Sequence, residues 1–331
     1  MDNPIIAISM GDPAGIGPEV TAKTLLGTTA YGYCRPFVVG DPEAMDAAGQ
    51  MLRSGLEFRP IRDVAEARFS PPVVDVLCPP GLGLGNVRWG VLDPAMGHAA
   101  ALCLRTAFEL AMDGRVQGIV SAPLNKEAFH RAGYAHRDEL SYAAELTHSS
   151  ETCIMGVMRS TWTVAVTEHI PFREILNGIT KDRVLWHILK MNEVLLRAGT
   201  PRPRIAVAAL NVHGGEGGLF GREEIDEIGP AIQAARERGI EVQGPVPADA
   251  VFVRALAGLS DGVVCMYHDQ ANIARKLQPK SESATIFIGL PVPCGTTAHG
   301  TAFDIAGQGI ADPGSLQAAL RYTARLAGAH S

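Results

Sequence analysis

The chain is expected to fold as an α/β protein of mainly parallel sheets with flanking helices. Nine short strand-like runs, at 4–10, 36–40, 73–77, 117–122, 153–158, 162–167, 204–210, 262–266 and 285–289, alternate with helical patterns. Most of these runs are continuously apolar rather than alternating, as strands covered on both faces must be. Thirty-six glycines in 331 residues supply the tight turns that repeated strand–helix junctions need.

The first strand runs into "MGDPAGIGPE". There Gly11, Gly15 and Gly17 permit a tight turn or a close approach to a ligand, and Pro18 suits a first helical turn. The spacing is neither GxGxxG nor a P-loop, because no Lys-Ser/Thr follows, and a structural turn fits it as well as a ligand loop. "GLGLGN" at 81–86 also misses the dinucleotide fingerprint, since Asn86 stands where the third glycine belongs. An alanine-rich helix over 95–112 stops at Gly114, and a periodic one over 182–198 stops at Gly199. A helix over 223–238 stops at Gly239, and the C-terminal helix opens with Ser315 as its N-cap. No repeat or low-complexity linker marks a boundary, so two domains would exchange the chain more than once.

Formal charge is −6, from 29 Lys and Arg against 35 Asp and Glu, and no basic cluster points to nucleic acid. Hydrophobic content of 47% with 19% charged excludes a disordered chain. No apolar stretch approaches the roughly 18 residues of a membrane span. The first basic residue is Lys23, so no charged region precedes "PIIAISM" as a secretory signal would require. The six cysteines form no CxxC pair, and buried free thiols in a reducing, cytoplasmic setting are expected.

Three histidines each follow an apolar run by two or three residues. "WTVAVTEH" ends at His169, "RIAVAALNVH" at His213 and "DGVVCMYH" at His268. Ligands of parallel α/β sheets bind in loops leaving the carboxyl ends of strands, so three imidazoles delivered there predict a divalent-metal site. Neutral imidazole suits Zn, Mn, Co or Ni, and Asp269 beside His268 can orient its ring. His187 lies on a helix, His330 in the tail, and His98, His130 and His148 have no partner pattern.

"TTAHGTAFDIAGQGIADPGS" at 296–315 combines small residues with His299, Asp304 and Asp312. It resembles the cofactor-binding stretch of isocitrate and isopropylmalate dehydrogenases, which bind NAD(P) without the Rossmann glycines. Together "MGDPAGIGPE", "SAPLNKEAF", "TEHIP", "LNVHGGEGGLFGREE", "GPVPADAVF", "MYHDQ" and "AHGTAFDIAG" resemble the 4-hydroxythreonine-4-phosphate dehydrogenase family of vitamin B6 synthesis, in order and spacing from about residue 5 to 325. The resemblance implies an isocitrate/isopropylmalate dehydrogenase-like fold of two domains with a cleft. It implies a cofactor domain at 1–125 and 270–331 and a metal, substrate and dimerisation domain at 126–269. It further implies NAD or NADP bound near Gly11, Gly15, Gly217, His299, Gly300 and Asp304. One divalent ion (Zn, Mn, Co, Ni or Mg) would be held by His169, His213 and His268. The sites would be shared across a homodimer, one histidine coming from the partner.

The departures bear on substrate. The family's substrate loop reads Gly-His-Thr-Glu, and the gap-free equivalent here is Asp138-Glu139-Leu140-Ser141. The family's substrate lysine is kept as Lys276, while its asparagine and arginine become Thr285 and Cys294. Losing phosphate donors and adding Glu139 should weaken phosphate binding, although His136 and Arg137 offer compensating charge. This resembles the branch acting on dihydrodiol carboxylates such as the terephthalate dihydrodiol dehydrogenases. The expected activity is therefore oxidation and decarboxylation of an unphosphorylated β-hydroxy carboxylate, with the phosphorylated family substrate as the alternative. Lys276 would bind the carboxylate or move a proton, and Asp249 and Asp269 are candidates for the base. A metal-dependent hydrolase would use the same histidines, and an acyltransferase of the phosphotransacetylase type would share a related fold.

Overall fold

A computed structural model describes residues 3–85, 87–279 and 282–328; Asn86 and His330 lie outside them. The chain forms two compact units, Met1–Cys153 with Ala284–Ser331, and Ile154–Ser283. Helices Lys126–Arg131 and Glu139–Leu146 belong to the first unit and helix His268–Lys276 to the second. The chain thus crosses later than residues 125 and 269.

All nine expected strands form, and each unit is built on a mostly parallel sheet. In the first unit these are β1 (Ile5–Ser9), β2 (Arg35–Val39), β3 (Glu57–Ile61), β4 (Val73–Leu77), β5 (Gly118–Ser121), β11 (Ser283–Ile288) and β12 (Cys294–Thr296). Their order is β3-β4-β2-β1-β5-β12-β11, parallel except for β11 against β12. In the second unit β6 (Cys153–Met158), β7 (Thr161–Thr167), β8 (Arg204–Ala208), β9 (Glu241–Val246) and β10 (Gly262–Tyr267) lie in the order β6-β7-β10-β8-β9. There only the β6–β7 hairpin is antiparallel.

Three strands escaped sequence reading. β3, "EFRPI", and β9, "EVQGPV", carry polar residues and a proline, and each ends its unit's strand order, where a missing ladder donor is tolerated. β12 has three residues, one of them Gly295. The long helices fall where their caps and stops place them. Asp93 accepts from Ala95 N–H before helix Pro94–Met112, and Thr180 accepts from Arg183 N–H before helix Lys181–Arg197. Ser315 is a correction: it lies inside helix Gly314–Gly328, where its hydroxyl accepts from Ala298 N–H. Asp312 instead accepts the Gly314 N–H at 2.8 Å, satisfying a donor of the first turn.

Strand order locates the sites. In the first unit β2 and β5 flank β1 on opposite sides, so the chain reverses its direction of travel there. Ligands of open α/β sheets bind outside the carboxyl ends of strands at such a switch. In the second unit β10 returns between β7 and β8 and brings their carboxyl ends side by side. Cys34, Cys103, Cys153, Cys265 and Cys294 are buried, Cys78 is half-buried, and none of the six forms a disulfide. Burial pushes the Cys34 thiol up to about 12.

One contact tests the packing. Gly97, in helix Pro94–Met112, lies against the backbone of Ala128 in helix Lys126–Arg131, and an added Cβ would collide with that carbonyl. Gly97→Ala should lower stability by about 2 kcal/mol, within the range for overpacking. Gly32→Ala, where nothing lies within 4 Å, should change it little. Equal denaturant midpoints for Gly97→Ala and the parent chain would contradict this packing.

Candidate metal centre and its surroundings

β7 and β10 pair in parallel, with Thr167 opposite Tyr267. His169 follows two residues after Thr167 and His268 one after Tyr267, so both leave the same sheet edge. Their ring centroids are 5.3 Å apart. Glu168 joins them, and one ligand atom from each of Glu168, His169 and His268 lies within 4.8 Å of the others. His268 Nδ1 is 2.7 Å from Asp269 Oδ1, which leaves Nε2 of that ring as a ligand atom. Two imidazoles and a carboxylate form a donor set that fits a divalent ion. Glu168 escaped sequence reading, although its adjacency to His169 in "TEHIP" was the available signal. Burial lowers the pKa of the Arg275 guanidinium, and the negative charge of Glu168 opposes that shift.

His213 is not a member of that cluster. It opens a run of six residues with positive φ, from His213 at 50° through Gly214, Gly215, Glu216 and Gly217 to Gly218 at 101°. A side-chain-bearing residue in this conformation costs roughly 1–2 kcal/mol, so the loop must be held by other contacts. Glu224 provides them. Its buried carboxylate accepts from Leu210 N–H at 2.8 Å, Asn211 N–H at 2.7 Å and Asn211 Nδ2 at 2.9 Å. The loop displays His213 outward, with 61% of its side chain exposed and Nδ1 3.1 Å from Glu216 Oε1. Val212, Leu219 and Phe220 beside it are exposed as well.

The other site candidates are spread out. Asp249 is exposed in the first turn of helix Ala248–Leu256. Lys276 is exposed on the helix His268–Lys276, eight residues or about 12 Å of axis from His268. Gly217 lies in the His213 loop of the second unit, whereas the remaining cofactor candidates lie in the first. His187 is buried, with Nδ1 2.7 Å from Arg183 O, and burial pulls its pKa down to about 4, so it stays neutral.

In the first unit, the glycine loop after β1 packs closely on its own chain. A Cβ on Gly11 would strike the carbonyls of Ala122 and Pro123, and one on Gly15 would strike Thr301. Ile16 N–H donates to Thr301 O at 3.0 Å, tying this loop to the stretch that holds His299 and Gly300. Asp304, three residues on, is exposed. Asp12 is fully buried and its Oδ1 accepts from Ala14 N–H at 2.9 Å; burial pushes its carboxyl up to about 6. "DELS" at 138–141 forms a capping box on helix Glu139–Leu146, with Asp138 and Ser141 bonding each other's backbone amides. Arg137 is exposed, with Nε 3.2 Å from Asp138 Oδ2. Leu140, Thr285 and Cys294 are buried, and Glu139 is bonded to Ser121 at 2.7 Å.

The family model of "Pyridoxal phosphate biosynthetic protein PdxA" matches residues 32–323. The chain belongs to the PdxA family. This PdxA chain is 41% identical to the D-threonate 4-phosphate dehydrogenase of Cupriavidus necator, covering 98% of this chain and 97% of that one. It is 37% identical to the 4-hydroxythreonine-4-phosphate dehydrogenase of Desulforapulum autotrophicum, covering 98% and 95%. A crystal structure of a 4-hydroxythreonine-4-phosphate dehydrogenase from Burkholderia phymatum superposes with a TM-score of 0.84 at 40% identity, covering 98% of each chain. A terephthalate 1,2-cis-dihydrodiol dehydrogenase from Burkholderia xenovorans superposes at 0.68 with 26% identity, covering 97% and 98%.

The loop anchor yields a prediction. Glu224→Ala should leave two amide donors at 210–211 unsatisfied, at a cost of ~1–3 kcal/mol each. Hydrogen exchange followed by mass spectrometry should then show faster exchange across 209–221. Unchanged exchange there would remove Glu224 as the anchor.

Proposed function

We propose that this PdxA chain is an NAD-dependent, divalent-metal-dependent dehydrogenase acting on a phosphorylated hydroxy acid of the hydroxythreonine or threonate type. The observation that carries this reading is the cluster of Glu168, His169 and His268 at adjacent strand ends, in a chain whose relatives are named dehydrogenases. Glu168, His169 and His268 would hold a divalent ion, which would supply Lewis acidity at this centre. NAD, with NADP as the other candidate, would serve as the hydride acceptor. The product of oxidising a hydroxyl β to a carboxylate is a β-keto acid, set to lose CO2. Asp269 orients the His268 ring, and Lys276 or Arg137 binds an anionic group of the substrate. Asp249 and Asp269 are the candidates for the base.

The first unit is assigned the cofactor, because Gly11 and Gly15 lie at its switch point and the His299–Gly300 stretch adjoins them. The second unit is assigned the metal and a homodimer contact. The exposure of His213 together with Val212, Leu219 and Phe220 favours delivery of this histidine to another subunit's centre. Six cysteines outside any disulfide suit a reducing cytoplasm.

The phosphorylated substrate is preferred over the unphosphorylated carboxylate for a structural reason. Leu140, Thr285 and Cys294 are buried and Glu139 is held by Ser121, so the four departures do not form a repulsive anion site. The dihydrodiol branch is also the more distant likeness. A metal hydrolase would leave the dehydrogenase likeness without a role. NADH formation followed at 340 nm separates these readings. Turnover is expected with D-threonate 4-phosphate or 4-hydroxythreonine 4-phosphate, and turnover of an unphosphorylated dihydrodiol carboxylate alone would reverse the preference.

Two substitutions test the centre. His169→Ala and His268→Ala should each lower bound metal at least tenfold while the fold, followed by circular dichroism, is retained. Full metal content in both would exclude the cluster. Mixing inactive His169→Ala and His213→Ala chains under subunit exchange should recover activity at some sites. Absence of recovery despite demonstrated exchange would mean that each centre is built within one chain.

A further inference from the structure

Ser121 closes β5 at the first unit's switch point, with Ser9 of β1 and Thr296 of β12 as its register partners. Its hydroxyl carries one proton but has two oxygens in range, Ala122 O at 3.0 Å and Glu139 Oε1 at 2.7 Å. A carboxylate only accepts, so an ionised Glu139 would leave one of these contacts as two facing lone pairs. Thr296 does not relieve this, because its hydroxyl donates to Ser121 O at 3.0 Å. A protonated Glu139 satisfies both contacts of the Ser121 hydroxyl. It donates to Ser121 Oγ, and the Ser121 proton then goes to Ala122 O.

We infer that Glu139 is carried as an uncharged carboxylic acid donating to Ser121, which makes it a specificity-determining position that tolerates an anionic group of the substrate at the carboxyl ends of β1 and β5. The inference rests on the dehydrogenase reading only for the identity of that ligand, a phosphate or carboxylate group. Glu139 is half-buried in the first turn of its helix. The groups around it are consistent with the inference. Burial raises its pKa to about 7; Ser121, Lys126 and Thr296 oppose that rise, and Asp138 adds to it. The nearby Cys294 thiol is itself pushed well above its ordinary value by burial, and stays neutral. An anion placed beside Glu139 would hold the proton more firmly, and Lys126 would supply countercharge. Binding should therefore be coupled to proton uptake as pH rises past 7.

The test begins with the full-length protein without substrate, labelled with 13C at glutamate carboxyls and titrated by NMR. One glutamate should titrate with a midpoint about 7, and that signal should vanish in Glu139→Gln. Glutamine keeps a donor toward Ser121 and cannot ionise. KM for D-threonate 4-phosphate should rise about tenfold per unit above pH 7.5 in the parent and stay flat in Glu139→Gln, with KM near the parent's at pH 6.5. A stability readout covers a variant that loses turnover. A carboxyl raised from 4.5 toward 7 stabilises the fold fully below its unfolded value, and that stability is lost as pH rises through 7. The parent's melting temperature should thus fall relative to Glu139→Gln between pH 5 and 8. No glutamate titrating above pH 6 would overturn the inference for the protein itself. A titrating Glu139 with a pH-independent KM in the parent would overturn its role toward the substrate.

Discussion

The parallel pairing of β7 with β10 is the constraint on which the candidate metal centre depends. Strands in a sheet lie about 4.8 Å apart, so residues leaving matched positions emerge as neighbours. Thr167 opposite Tyr267 fixes that match, and a one-residue slip would turn one histidine toward the other face. The Thr167 hydroxyl reinforces the register by donating to Met266 O at 2.8 Å. The strands themselves are buried among apolar residues of both neighbours, with Ala165, Val263 and Cys265 in one core cluster. The imidazoles therefore stand on a rigid edge. Their geometry follows from sheet spacing.

The first unit works by close packing. Gly11 and Gly15 let the loop after β1 lie directly on the 122–123 and 301 backbones. Lys23 fastens the following helix, donating to Glu19 Oε1 at 2.8 Å, Gly309 O at 2.9 Å and Ala311 O at 2.7 Å. Asp12 and Glu139 are the two carboxyls that burial raises in this region, and both flank the segment that leaves β5. Raised carboxyls at a strand switch point are a pattern found where enzymes handle protons and anions. The second unit differs, placing its candidate metal donors at exposed or half-buried positions.

Sequence patterning revealed the parts whose physics is local. Continuous apolar runs marked nine strands, and Gly114, Gly199 and Gly239 marked helix ends, because these signals lie within a few residues. β3, β9 and β12 were hidden since edge position and shortness relax the demand for apolar side chains. Strand-end position was sufficient to single out His169 and His268, but pairing order, which decides that these two meet, is a property of the whole sheet. The left-handed run after His213 depends on Glu224, eleven residues further on, and could not be read from "HGGEGG" alone. "DELS" was a legible capping box that the comparison with a substrate loop obscured. Whether Glu139 carries charge depends on Ser121, whose contact with it is tertiary.

The central claim is that His169 and His268 share one divalent ion and that a third imidazole completes it from outside the chain. Anomalous scattering from crystals grown with zinc tests this most directly. The account predicts one strong peak per chain about 2.0–2.1 Å from a nitrogen of His169 and of His268, the usual zinc–imidazole distance. A third nitrogen should come from His213 of the partner subunit. A zinc peak elsewhere, or one bound to His169 and His268 with no contribution from another chain, would contradict it.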